Sequence, residues 1–197
     1  MPELGISEFS SIAVTTGKPK ITKIRKIATR GPYQHFKDYY LHLRNAIKSL
    51  FTQKRHISYL FEVARKQKND SKKVNYEKIA NNFKEWQSGK NIAAYIPQRG
   101  HYTYQQTSIN CNPELNVSVN GNPTLVKLHF STSDKMTQER ANYICHLLAD
   151  TVGNETYNYA VLDLTTGKEY SFKGNPEQMS DRITNEIETI QGHWTYP

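Results

Sequence analysis

The hydrophobic period changes near residue 92, and that change limits the fold of this chain more than any other feature. Up to Trp86 the apolar residues recur three or four apart, and from there to Phe130 they alternate. A period near 3.6 buries one stripe of a helix, whereas a period of 2 buries one face of a strand. A chain of 197 residues with such a break is expected to be α+β, a helical N-terminal part followed by an antiparallel sheet of two hairpins covered by two helices.

In the first part, Phe36, Tyr39, Tyr40, Leu43, Ile47, Leu50 and Phe51 form a stripe after Gly31-Pro32, where proline suits a first helical turn. The spacing predicts one helix of about five turns at 3.6 residues each. Ile57, Leu60, Phe61 and Ala64 make a shorter second stripe. The run Lys66–Lys73 predicts a loop around Asn69-Asp70-Ser71. Tyr76, Ile79, Ala80, Phe83 and Trp86 make a third stripe that Ser88-Gly89 ends. Residues 31–90 therefore read as a domain of about three helices.

Residues 91–197 read β-β-β-α-β-β-α. Tyr102 and Tyr104, then Leu115, Val117 and Val119, then Val126, Leu128 and Phe130 alternate with polar residues, and Asn120-Gly121 between the last two runs is a hairpin signal. Thr137 is placed to cap a helix that carries Ala141, Ile144, Cys145 and Leu148 and ends at Gly153. Thr165-Thr166-Gly167 turns a second hairpin, and Pro176 opens a last helix with Met179, Ile183, Ile187 and Ile190 on its inner stripe.

Composition excludes several classes. No run approaches the ~18 apolar residues of a membrane-spanning helix. Two cysteines are too few for a disulfide scaffold, and 13 Tyr, 7 Phe and 2 Trp supply ample core material against global disorder. Met1–Arg30 lacks the basic region and apolar core of a secretory signal, so a cytosolic location with reduced Cys111 and Cys145 is expected. Within that stretch Ile21, Ile24 and Ile27 alternate with Lys23, Arg25 and Lys26. The pattern fits an amphipathic helical face and equally a flexible basic arm over residues 1–30.

The charge is divided. Residues 1–90 hold 19 Lys and Arg against 7 Asp and Glu, a balance of +12, whereas residues 91–197 hold 7 against 11, a balance of −4. A basic segment of this kind attracts phosphate, and counterion release adds to the affinity. The candidate nucleic-acid contacts are Lys23, Arg25, Lys26, Lys54, Arg55, Arg65, Lys66, Lys68, Lys72, Lys73, Lys84 and Lys90. The competing reading is that these residues only solubilise helices. Tyr33, Tyr39, Tyr40 and Tyr59 are candidates for stacking on unpaired bases, although their helical spacing puts most of them in a core. Tyr76–Phe83 has the spacing of a first helix in a helix-turn-helix, with Lys90 and Asn91 opening a short second element before Pro97.

Zinc, nucleotide-cradle and serine-nucleophile motifs are missing from the sequence, no metal or cofactor is expected, and Asp163 is expected to bond its own turn. His101-Tyr102-Thr103 and His129-Phe130-Ser131 both read His-x-Thr/Ser on predicted strands, a pattern similar to the motif of the two-histidine phosphoesterases. The resemblance implies that His101 and His129 trade protons across a phosphodiester while Thr103 and Ser131 bind phosphate. In that family the motifs occupy two pseudo-repeat lobes, and 28 residues of separation departs from that arrangement. Without the resemblance, both histidines read as solvent-facing strand residues.

Three functions follow in order. The first is a cytosolic, non-enzymatic protein whose N-terminal helices contact DNA or RNA mainly through phosphates. The second is a protein-interaction or self-assembly module using the C-terminal sheet, through an edge such as Leu115–Val119. The third is a phosphoesterase. No membrane partner is expected.

Overall fold

A computed structural model describes residues 2–31, 38–153 and 156–195. Its architecture is α+β, with seven helices and two sheets among the described residues. The larger sheet has the order β2-β5-β6-β7-β8, built from β2 (Ile92–Tyr95), β5 (Leu115–Val119), β6 (Asn122–His129), β7 (Asn158–Asp163) and β8 (Lys168–Ser171). The smaller sheet has the order β1-β4-β3, from β1 (Glu3–Gly5), β4 (Thr107–Cys111) and β3 (Gly100–Tyr104).

Strand alternation places one helical layer on each face of the larger sheet. Val126 and Leu128 of β6, with Leu162 of β7, face a cluster made by α3 (Leu41–Thr52), α4 (Ser58–Arg65) and α5 (Asp70–Gln87). Leu125 and Val161 point the other way. They meet α1 (Ile6–Ala13), α2 (Gly17–Ala28), α6 (Gln138–Val152) and α7 (Pro176–His193). The core thus crosses residue 90, because the helices before it and the strands after it bury the same apolar surface. Two polar bonds pin the seam. Asn82 Nδ2 of α5 donates to the Leu164 carbonyl at 2.8 Å, and Trp86 Nε1 donates to Glu169.

The sheets differ from the antiparallel arrangement that the alternation suggested. β6 and β7 run parallel, with His129 opposite Asp163, because α6 returns the chain before β7 begins. β1 also runs parallel to β4. The Asn120-Gly121 turn does close an antiparallel hairpin of β5 and β6, both of its residues having φ near the left-handed region, at 51° and 88°. Gly100 at the start of β3 sits so close to α6 that a Cβ there would lie 2.7 Å from Val152 Cγ1.

Residues 3–28 form β1, α1 and α2 rather than a loose arm. Leu4, Ile6, Phe9, Ile12 and Ile24 are fully buried or nearly so, and Phe9 stands edge-on to Tyr143 at 6.0 Å. The predicted loop Lys66–Lys73 is shorter than expected, since Asn69 Oδ1 accepts from Lys72 N at 2.9 Å and starts α5 at Asp70. Of the helix expected to start at Gly31-Pro32, Pro32, Tyr33 and Phe36 lie outside the described residues, and Tyr39 and Tyr40 form a turn, so it is seen only as α3 from Leu41. Thr137 and Asn175 cap α6 and α7 through their side chains, and Pro176 occupies the first turn of α7. No helix among the described residues is long and apolar enough to cross a membrane.

Candidate functional site

Helical spacing builds a polar groove on the α3–α5 layer. On α3, Leu43, Ile47 and Leu50 turn inward, which leaves His42, Asn45 and Ser49 on the opposite side. On α4, Leu60 and Ala64 are buried, and Tyr59 and Val63 face the groove. The link between α4 and α5 completes the rim with Lys66, Gln67 and Lys68, and the Asn69 cap sets Lys72 beside them. The concavity has a volume of 740 Å³ and includes Arg55, Lys66, Lys68 and Lys72 in its lining, with no carboxylate among the described residues that line it. Arg55 is held in place, its Nε donating to Gln53 Oε1 at 2.8 Å and its guanidinium lying 4.2 Å over the Tyr59 ring. Lys72 Nζ stands 5.2 Å from the Tyr39 ring and 5.3 Å from that of Tyr76.

Four of the twelve candidate cations therefore share one surface. The others do not join it. Arg65, Lys73 and Lys84 lie on α4 and α5 outside the groove lining, and Lys54 is an exposed residue with φ of 51°. Lys90 follows α5 and bonds Glu169 at 3.4 Å while covering the Trp86 ring at 4.4 Å. Lys23, Arg25 and Lys26 belong to α2, in the layer on the other face of the sheet. Lys23 Nζ is engaged by Ser11 Oγ at 2.6 Å and by Asp134 at 3.5 Å. α5 runs unbroken to Gln87, and Lys90 and Asn91 lead directly into β2, so no recognition helix follows it.

A larger cavity of 1340 Å³ lies between the N-terminal segment and the end of β6. Its cations are almost all matched: Arg44 with Asp38 at 2.8 Å, Lys127 with Glu114 at 2.9 Å, Arg140 with Asp134 at 3.1 Å, and Arg30 with Glu8. Glu114 also accepts from Leu128 N, and Lys127 donates to the Asn112 carbonyl, so this pair closes the turn before β5. Arg140, only 2% exposed, donates to Ser10 Oγ and to the carbonyls of Ser7 and Asp134. It clamps α1 to the turn before α6. Burial alone would raise the Asp134 carboxyl, but Ser11, Arg140 and Lys23 together outweigh it and hold the group below 3.8.

His129 and Ser131 lie on the wall of this cavity, but His101 and Thr103 do not. They sit exposed on β3, in the smaller sheet, so the two His-x-Thr/Ser segments are not brought together there. His101 is a surface strand residue, whereas His129 is 6% exposed, on the wall of a cavity that Asp134 and Arg140 also line. Its Nε2 lies 2.9 Å from the Ser131 carbonyl, which only accepts, so Nε2 carries the proton. Burial and then the Arg140 charge push the imidazole below its usual 6.5. Asp163 accepts from Thr165 N and from both threonine hydroxyls of its own turn.

Both thiols are buried, and burial drives Cys145 up to about 12 and also raises Cys111. Neither is poised as a nucleophile. Among the described residues no three His, Cys, Asp or Glu side chains cluster as metal ligands would. His42, Asn45 and Ser49 are groove residues that the charge count passed over. Their spacing opposite the Leu43-Ile47 stripe was the available signal. No protein-family model matches the chain, and no curated protein matches it either.

Proposed function

We propose that this protein binds nucleic acid through phosphate contacts in the groove between α3, α4 and the start of α5. The supporting observation is the contrast between the two concavities. The larger one balances its cations with carboxylates, whereas Arg55, Lys66, Lys68 and Lys72 line the smaller one without any. A concave surface of one sign focuses field and concentrates a polyanion. Tyr59, already stacked under Arg55, offers a face for an unpaired base. The same proposal places the protein in the cytosol, with Cys111 and Cys145 as thiols.

The test is fluorescence polarisation with labelled single-stranded and duplex oligonucleotides at low salt. Lys66→Glu with Lys68→Glu is expected to weaken binding at least tenfold. A control pair of equal charge, Arg25→Glu with Lys84→Glu, is expected to change it less than threefold. Equal losses in both pairs would assign the binding to net charge alone, and no binding by the wild-type chain would remove the proposal.

A further inference from the structure

The second property concerns the edge of the larger sheet and does not depend on the groove. Among the described residues β2 pairs with β5 on one side only, so its other side is an open edge. Leu115–Val119, the edge suggested by sequence, is instead interior, between β2 and β6. The phase of the β2–β5 ladder is fixed by Asn120 N donating to the Asn91 carbonyl at 2.8 Å. Antiparallel strands alternate bonded and non-bonded pairs, so Ala93 and Tyr95 also turn their backbone groups toward β5. Ile92 and Ala94 then direct both N–H and both C=O groups outward.

Natural edges are guarded by charge, proline or a covering loop. The opposite edge, β8, carries Lys168 and Glu169. β2 reads Ile-Ala-Ala-Tyr and has no such guard. Two of the most exposed large apolar side chains lie here, Tyr95 at 57% and Ile96 at 87%. An open ladder beside exposed apolar surface is a seam for another strand.

We infer that the strand it takes is β2 of a second copy, antiparallel, with Ala93 on the two-fold axis. In that register Ile92 of each chain faces Ala94 of the other, and four hydrogen bonds use all four outward groups. Ala93 meets Ala93 as a non-bonded pair, where Cα atoms approach to about 4.5 Å and a methyl group fits. Tyr95 faces Asn91, and Lys90 faces Ile96, so no like charges meet across the seam. That matters for a chain of net charge +8, whose copies carry an overall mutual repulsion that the seam must not add to. The axis stands perpendicular to the sheet, which becomes ten-stranded with both α3–α5 layers on one side.

Sedimentation equilibrium across a hundredfold concentration range tests the association. The wild-type mass is expected to rise from 22.8 kDa toward twice that value. Ala94→Pro removes only a donor that faces the partner and is expected to weaken the dimer at least tenfold, with far-UV circular dichroism checking its fold. Register is tested by oxidation with copper phenanthroline. Ala93→Cys is expected to cross-link rapidly and Ala94→Cys slowly, while the buried Cys111 and Cys145 stay silent. A wild-type monomer at every concentration, an undiminished Ala94→Pro dimer, or equal cross-linking at 93 and 94 would each overturn the inference.

Discussion

Phe9→Ala tests whether the first thirty residues belong to the core. Phe9 is fully buried on α1, and its ring meets Tyr143 of α6 at 6.0 Å and 81°. Truncating such a ring costs about 3–5 kcal/mol, of which the edge-to-face pair supplies roughly 0.5–1.5. For a chain of this size each kcal/mol moves the melting temperature by about 2–4 °C, so the expected drop is roughly 6–20 °C. The assay is thermal unfolding followed by far-UV circular dichroism and by fluorescence. The two tryptophans report separate places, Trp86 in the α3–α5 cluster and Trp194 against the opposite one. Single-tryptophan variants should therefore show both layers melting together. Arg25→Ala, exposed on α2 in the same segment, is the control and should stay within about 0.5 kcal/mol of wild type. A Phe9→Ala melting temperature within about 2 °C of wild type would refute the reasoning, because a detached arm has no packing to lose.

Other expectations follow from single features. If four groove cations each neutralise one phosphate, the slope of log affinity against log salt should be about −2.8 for single strands and −3.6 for duplex. Raising salt from 50 to 200 mM should then cost roughly 50- to 150-fold in affinity, and Lys66→Ala with Lys68→Ala should halve the slope. His129 should make stability pH-dependent, as urea titrations at pH 7.5 and 5.5 would measure. The unfolded imidazole takes a proton near 6.5 and the buried one resists it, so its contribution is complete above that value. It is lost as pH falls from 6.5 through the lower native value, and His129→Gln should show a smaller decline. Asn69→Ala removes the acceptor for Lys72 N and should cost about 0.5–2 kcal/mol, read as a lower urea midpoint.

Long periodic segments were legible because a single face of each is buried. The stripes ending at Trp86 and Ile190 belong to α5 and α7, and Thr137, Pro176 and Asn120-Gly121 mark boundaries that the structure keeps. Strand direction was not legible. β6 and β7 alternate in the same way whether they run parallel or antiparallel, and only the crossover through α6 decides. β1, β2 and β4 escaped notice for another reason: β1 has three residues, β2 is a largely exposed edge without alternation, and β4 buries Thr107, Ile109 and Cys111, too mixed a set to register as an apolar alternation. The candidate site was half legible, because composition locates Lys and Arg but says nothing of where carboxylates fold to meet them.

That distinction carries the functional argument. A lysine bonded to a carboxylate contributes little field beyond its partner, and Lys23 with Asp134 or Lys90 with Glu169 are such cases. The +12 balance of residues 1–90 thus overstates what a polyanion would meet on the α2 side of the molecule. The link from α4 to α5 differs because of its local chemistry. It holds Lys66, Gln67, Lys68 and Asn69, and Asn69 spends its side chain on capping α5. A neutral cap does what Asp would do equally well for the helix, but adds no carboxylate to the lining that holds Lys66, Lys68 and Lys72, Asp70 lying outside it. Asn69→Asp separates the two roles. The helix N-terminus accepts it at little cost in stability, while a carboxylate enters the groove and should weaken oligonucleotide binding several-fold at low salt. Affinity unchanged by that substitution would mean that the groove is not where phosphate sits.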